Sequence, residues 1–302
     1  MPAEVFGPGY RFLQRKDLLT YEEIGHLAAL VAGIGVRKFR LTGGEPLLRQ
    51  GLEELVMMLS KIEGVDDLAM TTNGVLLAAY AAKLRRAGLH RVTVSLDALD
   101  RKVFGQMNGV GARVERVLDG IEQALSEGLG VKINTVVQQG INESEILPLV
   151  RWGSERDIPV RFIEYMDVGE TNGWRMEHVV PSAEVFEMIA AEFPLNKLEP
   201  AHRGEVARRY QIGRGKAEVG FISSVTEPFC GDCNRLRLSA EGKLYTCLFA
   251  ESGFDVRELL RAGKEETLGL AIRGVWADRS DRYSERRGAG KNQKVEMSYI
   301  GG

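Results

Sequence analysis

The 302 residues carry 42 acidic against 40 basic side chains, a formal net charge of −2, and 44% of them are hydrophobic. This is an ordinary globular composition; it excludes a general nucleic-acid coat, and no apolar run is long enough to cross a membrane. No signal-peptide pattern opens the chain, so the expected location is cytoplasmic, with neither nucleic acid nor membrane as partner, and the length suits one large α/β domain with an appendage or two domains.

Residues 1–19, with Pro2, Gly7, Pro8 and Gly9 and no clear period, read as a loop. Thr20-Tyr21-Glu22-Glu23 is a capping-box start, with Thr20 as N-cap and Glu23 reaching back, and it predicts a helix to about Ala32. Strands at 36–42, 67–72, 91–96, 131–137 and 159–166 then alternate with helices at 51–62, 78–87, 114–126 and 144–156. This alternation predicts parallel βαβ units, in a barrel or a doubly wound sheet. After Met166 the character changes. A loop runs over 167–174, a helix starts with Ser182 as N-cap and ends near Phe193, and strands follow at 207–212 and 217–223. A cysteine hairpin and helices near 255–261 and 266–277 come next; the polar tail at 278–294 is disordered by composition.

Alternation along the strands favours a barrel. Arg40 and Thr42 share one face while Phe39 and Leu41 take the other; Thr93, Ser95 and Asp97 oppose Val92, Val94 and Leu96; Lys132 and Asn134 oppose Val131 and Ile133. One face of each strand suits surrounding helices, and the polar faces converge on a lumen. Arg40 and Lys132 on inward faces call for an anion, either a polyanionic ligand or an inward carboxylate such as Glu164. Arg151, Arg156 and Arg161, and the basic run from Arg279 to Arg287, read as solvated surface, with a patch for a partner as the alternative.

All three cysteines, Cys230, Cys233 and Cys247, stand as C-x2-C-x13-C about a turn at Glu241-Gly242. Three thiolates suit a 4Fe-4S cluster with one iron open; a closed zinc site wants a fourth ligand, and buried inert thiols are the plain alternative. In Asn234-Arg235-Leu236-Arg237-Leu238 an extended backbone points both guanidiniums one way, matching phosphate or carboxylate, unless this is simply a solvated edge. Gly43-Gly44-Glu45-Pro46, directly after a strand, reads as a backbone open to a ligand or as a plain turn.

Taken in order, the stretch Arg40 to Arg49, Thr71-Thr72-Asn73-Gly74, Val94-Ser95-Leu96-Asp97, Arg161 to Met166, the cysteine segment and the closing Gly301-Gly302 resemble the GTP 3',8-cyclase family of radical S-adenosylmethionine enzymes of molybdenum cofactor biosynthesis. The resemblance covers essentially the whole chain. It implies an α/β fold with a partial TIM-type barrel over 1–170, lacking its first strand, and a C-terminal cluster-binding and GTP-binding extension over 171–302. It implies two 4Fe-4S clusters, one cleaving S-adenosylmethionine to a radical that abstracts the ribose H3' of GTP, the other held by Cys230, Cys233 and Cys247 and binding the guanine. The ribose carbon then closes onto C8. By matching positions Gly44, Ser95 and Met166 contact S-adenosylmethionine, and Arg40, Thr71, Lys132, Arg235, Leu236 and Arg237 contact GTP. An electron donor, cyclic pyranopterin monophosphate synthase as the next pathway enzyme, and a second copy in a homodimer are the implied partners.

The family's opening strand and C-x3-C-x2-C loop are absent; Met1-Pro2 stands where Met-Pro commonly follows the third of those cysteines. The first cluster therefore has no ligands here, and the chain as written is expected to be inactive in radical initiation. A non-catalytic module binding a nucleotide and an iron-sulfur cluster or zinc is the rival expectation.

Overall fold

The computed structural model describes residues 13–109, 111–169, 172–287 and 294–300, so Met1-Pro2, most of the opening loop and Gly301-Gly302 lie outside the described residues. Helix α1 (Tyr21–Gly33) begins at the predicted capping box: the Glu23 N–H donates to Thr20 Oγ1 at 3.1 Å and the Thr20 N–H to Glu23 Oε2 at 2.8 Å. The alternation then runs β1 (Lys38–Leu41), α2 (Leu52–Ser60), β2 (Asp67–Thr72), α3 (Leu77–Arg86) and β3 (Arg91–Ser95). It continues with α4 (Arg101–Asn108), α5 (Val114–Ser126), β4 (Gly130–Val137), α6 (Ile146–Ser154) and β5 (Val160–Glu164). Helix α4 was not predicted, although its start is conventional: the Asp100 carboxylate accepts from the N–H groups of Lys102 and Val103.

The second part contains α7 (Ser182–Ala190), β6 (Leu195–Lys197), β7 (Arg208–Ile212), β8 (Glu218–Ile222), β9 (Arg237–Leu238), β10 (Lys243–Tyr245), β11 (Phe254–Asp255), α8 (Arg257–Arg261), α9 (Glu265–Ala277) and α10 (Met297–Ile300). One eight-stranded sheet has the order β1-β2-β3-β4-β5-β8-β7-β6; its first six members are parallel, and β7 and β6 add antiparallel pairs. Among the described residues it is open between β1 and β6, as a partial barrel is, and it runs across the boundary expected at residue 170. Strands β9, β10 and β11 form a separate small sheet.

The outer face of the large sheet is the main core, with Met70, Val92, Val94, Ile133 and Phe162 packed under Val56, Leu84, Ile121 and Leu149 of the helices. A second core joins Leu27 and Val31 of α1 to Leu244, Val256, Leu260, Leu268 and Ile272. It seats the cysteine hairpin, helped by the Leu19 N–H donating to the Ala240 carbonyl at 2.8 Å and by Arg261 pairing with Glu23 at 2.6 Å.

Three expectations are corrected. Ser182 is the first residue of α7, with Pro181 at the cap, and its buried N–H donates to Glu164 Oε1 at 2.8 Å. Glu164 is not inward: it lies on the parity of Val160 and Phe162, and it also accepts from the N–H groups of Val225 and Thr226 at 2.8 and 2.9 Å. The tail is not free, since Arg287 and Lys294 both bind the Asp167 carboxylate, at 2.8 and 2.6 Å, and the Val295 N–H donates to the Ala250 carbonyl.

Candidate active site

Register places the polar residues of neighbouring strands side by side on the inner face. Thr71 is level with Thr93 and Thr93 with Lys132; one step further on, Ser95 is level with Asn134, Asn134 with Arg161 and Arg161 with Gly220. Arg40 Nη1 donates to Thr71 Oγ1 at 2.9 Å and to Thr93 Oγ1 at 3.1 Å, and Arg161 Nη2 reaches the same Thr93 hydroxyl at 3.3 Å. Arg161 is therefore a lumen residue and not the solvated one expected. Gly220 makes room for it, because a Cβ there would stand 3.0 Å from Arg161 Cγ.

The lumen holds excess positive charge. Burial first and the Arg91 charge second push Arg40 down to about 10; burial, then Arg40 and Arg91, push Arg161 down to about 10. Lys132 is lowered by burial and by Arg161 and Arg91. Arg91 is neutralised by Asp67, whose carboxylate takes its Nε at 2.9 Å, whereas no ion pair among the described residues involves Arg40, Lys132 or Arg161. Arg161 Nε and Asn134 Oδ1 are buried with no hydrogen-bond partner. A lumen with cations short of counter-charge and polar atoms short of partners is chemically suited to a polyanion.

Gly44, Ser95 and Met166 all sit at or just beyond the C-terminal ends of β1, β3 and β5, the end where parallel barrels carry their sites. Gly43 takes φ +128°, a region closed to most side chains, and Glu45 locks the turn: its carboxylate accepts from Leu47 N–H at 3.1 Å, Thr72 Oγ1 at 2.8 Å and Asn73 N–H at 2.8 Å. Asp97, grouped with Ser95 by parity, is occupied structurally, its carboxylate accepting the Val136 N–H at 2.8 Å.

The cysteine segment reaches the same end. Arg208, at the start of β7, is level with Phe221 near the end of β8, so the loop preceding β7 leaves at the mouth, and there Asn234 Nδ2 donates to the Arg203 carbonyl at 3.2 Å. Cys230, Cys233 and Cys247 are free and half-buried. Burial raises and Arg235 lowers the Cys233 thiol, with Arg235 prevailing: its Nε and Nη2 lie 3.3 and 3.1 Å from Sγ, so the thiol is held below its ordinary range. Burial instead pushes Cys247 up, against the opposing Phe249 N–H at 3.4 Å. Arg237 is depressed to about 10 by burial and Arg235, and the Cys233 and Cys247 thiols act on it in the opposite sense.

Among the described residues no three His, Cys, Asp or Glu side chains are placed to hold a single metal ion. Three thiols on one hairpin, with Arg235 beside Cys233 and Arg237 acting on Cys247, fit the donor set of a cluster with one iron left open. Leu236 packs its side chain on the second core, so any ligand contact there falls to its backbone. The three cysteines of the sequence all lie in this segment, so they supply ligands to one cluster. Among the described residues no helix is long and apolar enough to cross a membrane.

Residues 6–153 match the Radical SAM superfamily and residues 158–285 match Molybdenum Cofactor Synthesis C. The chain is 46% identical to the GTP 3',8-cyclase of Acidothermus cellulolyticus and 42% identical to that of Staphylococcus epidermidis, in each case over 100% of this chain and 91% of the relative. The fold is also that of Streptococcus suis SuiB crystallised with S-adenosylmethionine, at a TM-score of 0.62 and 15% identity over 92% of this chain and 63% of that one. With relatives 46% and 42% identical over the whole of this chain, the chain belongs to the GTP 3',8-cyclase family of radical S-adenosylmethionine enzymes.

Proposed function

We propose that this chain binds GTP in the barrel lumen, S-adenosylmethionine at the strand-end loops, and a second 4Fe-4S cluster on Cys230, Cys233 and Cys247, as a GTP 3',8-cyclase. The observation that carries the reading is the set of three inward cations, Arg40, Lys132 and Arg161, without a carboxylate partner among the described residues. When bound, the cofactors supply the radical that turns GTP into (8S)-3',8-cyclo-7,8-dihydroguanosine 5'-triphosphate. The protein's own contribution is positional. Arg40, Thr71, Lys132 and Arg161 would take the triphosphate, while Arg235, Arg237 and the Leu236 backbone would hold the other end of the nucleotide against the open iron. Gly44, Ser95 and Met166 would line the S-adenosylmethionine subsite, and Asn134 Oδ1, level with Ser95, adds an acceptor. No residue of the chain is assigned to radical initiation.

The electron donor, cyclic pyranopterin monophosphate synthase and a second copy of the chain belong to this reading as partners. The rival reading is a module that binds nucleotide and cluster without turnover. Titration calorimetry on anaerobically reconstituted protein tests the shared core of both. GTP affinity is expected to fall at least tenfold in Arg235→Ala, and unchanged affinity would sink the assignment. Product formation from GTP and S-adenosylmethionine then separates the two.

A further inference from the structure

Asp167 directly follows Met166, yet none of its partners is local. Its carboxylate accepts from Tyr283 Oη, from Arg287 Nε at 2.8 Å and from Lys294 Nζ at 2.6 Å, and its carbonyl accepts from Lys294 Nζ at 3.0 Å. The sequence separations are 116 to 127 residues. Arg287 extends the junction to the loop after β8 by donating Nη1 to the Ser224 carbonyl at 3.1 Å. Lys294 lies 4.5 Å from the centre of the Tyr283 ring.

The junction leads to the third cysteine. Tyr283 stacks on Phe249 with ring centres 4.6 Å apart, and the Phe249 N–H points at Cys247 Sγ. On the other side of Cys247, Thr246 Oγ1 donates to Asp281, two residues before Tyr283. The tail also passes directly over the Met166 loop, where a Cβ on Gly169 would overlap the Glu296 carboxylate at 2.2 Å. One carboxylate thus ties the loop after β5 to the segment that flanks Cys247 on both sides.

We propose that Asp167 is a positioning residue that holds the Cys247 side of the cysteine hairpin over the barrel mouth, through Tyr283 and Lys294. The inference rests on the cluster reading for its consequence, but its mechanical part does not need the cluster. Losing the charge-assisted hydrogen bonds of the carboxylate opens the junction more than tenfold more often.

Hydrogen exchange on the full chain tests this without iron. Asp167→Asn is expected to raise exchange of amides in 246–249 and 279–287 at least tenfold, with β2 to β4 unchanged, and Asp167→Glu is expected to recover most of the protection. After anaerobic reconstitution, iron content should stay at the wild-type value while the electron paramagnetic resonance of the reduced centre broadens in the Asn variant and narrows again in the Glu variant. Unchanged exchange in both segments, or a rise spread over the whole barrel, overturns the proposal, as does an unaltered spectrum. If Asp167→Asn does not fold, Tyr283→Phe and Lys294→Met approach the clamp from the tail; each must loosen 246–249, and normal protection there overturns it. Wild-type protein that takes up no iron refutes the cluster reading instead and leaves the exchange result to decide the clamp.

Discussion

Arg161→Met should stabilise the ligand-free protein and weaken its hold on GTP. Burial and the charges of Arg40 and Arg91 push Arg161 down to about 10, from an ordinary value more than two units higher. At 1.36 kcal/mol per unit, about 3 kcal/mol is held against the cation in the folded state. Solvent entering the mouth and the packing of the Arg161 stem reduce the gain on removing it to roughly 1–2 kcal/mol. Methionine keeps the stem volume and needs no partner for the Nε that is orphaned now. In a domain of this size that raises Tm by about 2–6 °C in calorimetry without nucleotide.

GTP, by contrast, loses a charge-assisted phosphate contact worth about 2–3 kcal/mol, roughly a 30- to 150-fold increase in Kd, whereas guanosine loses nothing. The opposed signs are the signature of a group kept for its ligand. A lower Tm with an unchanged Kd for GTP would show instead that Arg161 is a structural cation, and the lumen reading would fail.

Gly74→Ala should cost about 2–4 kcal/mol in urea denaturation, because Gly74 has φ +79° and a Cβ would stand 2.8 and 2.9 Å from the methyls of Val117 and Val94. A loss under about 1 kcal/mol would mean that the turn relaxes. Glu164→Gln replaces one of the two accepting oxygens with an NH2, which then faces either the Ser182 N–H or those of Val225 and Thr226, and a loss of about 2–3 kcal/mol is expected; equal stability would show that water replaces the lost acceptor. Burial pushes Asp97 up to about 6, partly opposed by the Val136 N–H. A raised carboxyl favours folding most when protonated, so its contribution fades as pH climbs from about 4 through about 6. Asp97→Asn should flatten that part of the Tm–pH curve, and an unaltered slope would remove Asp97 as its cause.

The barrel was readable because parallel units repeat a simple pattern: apolar residues on one parity, Thr, Ser, Asn and Lys on the other. The same parity contradicts the surface reading of Arg161 and the inward reading of Glu164, which are three residues apart on one strand and must face opposite ways. The signal was present in the sequence and was outweighed by the usual exposure of arginine. The tail is a different case. A run rich in charge looks solvated whenever its partners are distant, and Asp167 lies more than a hundred residues away from Tyr283 and Arg287. Which arginines surround the cysteines was legible only in part: Arg235 and Arg237 stand beside them in sequence, but Arg279, donating to the Cys233 carbonyl, comes from just past the end of α9.

Register also orders the charge along the barrel axis. Asp67 opens β2 and neutralises Arg91, which opens β3, so the floor of the lumen carries no net charge from that pair. Lys132 is one inward step above Arg91, and Arg161, level with Asn134, is one step above Lys132. Arg40 starts level with Ala69 and Arg91, but its guanidinium reaches up to the Thr71 and Thr93 hydroxyls, so the cationic heads left unpaired among the described residues gather above the Asp67–Arg91 pair, and the cysteine hairpin stands at the mouth beyond them. A ligand with charge concentrated at one end is drawn in by that end and leaves the other facing the thiols. A nucleoside triphosphate has this asymmetry. Inorganic triphosphate should accordingly compete with GTP for the lumen cations, and guanosine should not; the reverse order of competition would place the nucleobase, not the phosphates, among Arg40, Lys132 and Arg161.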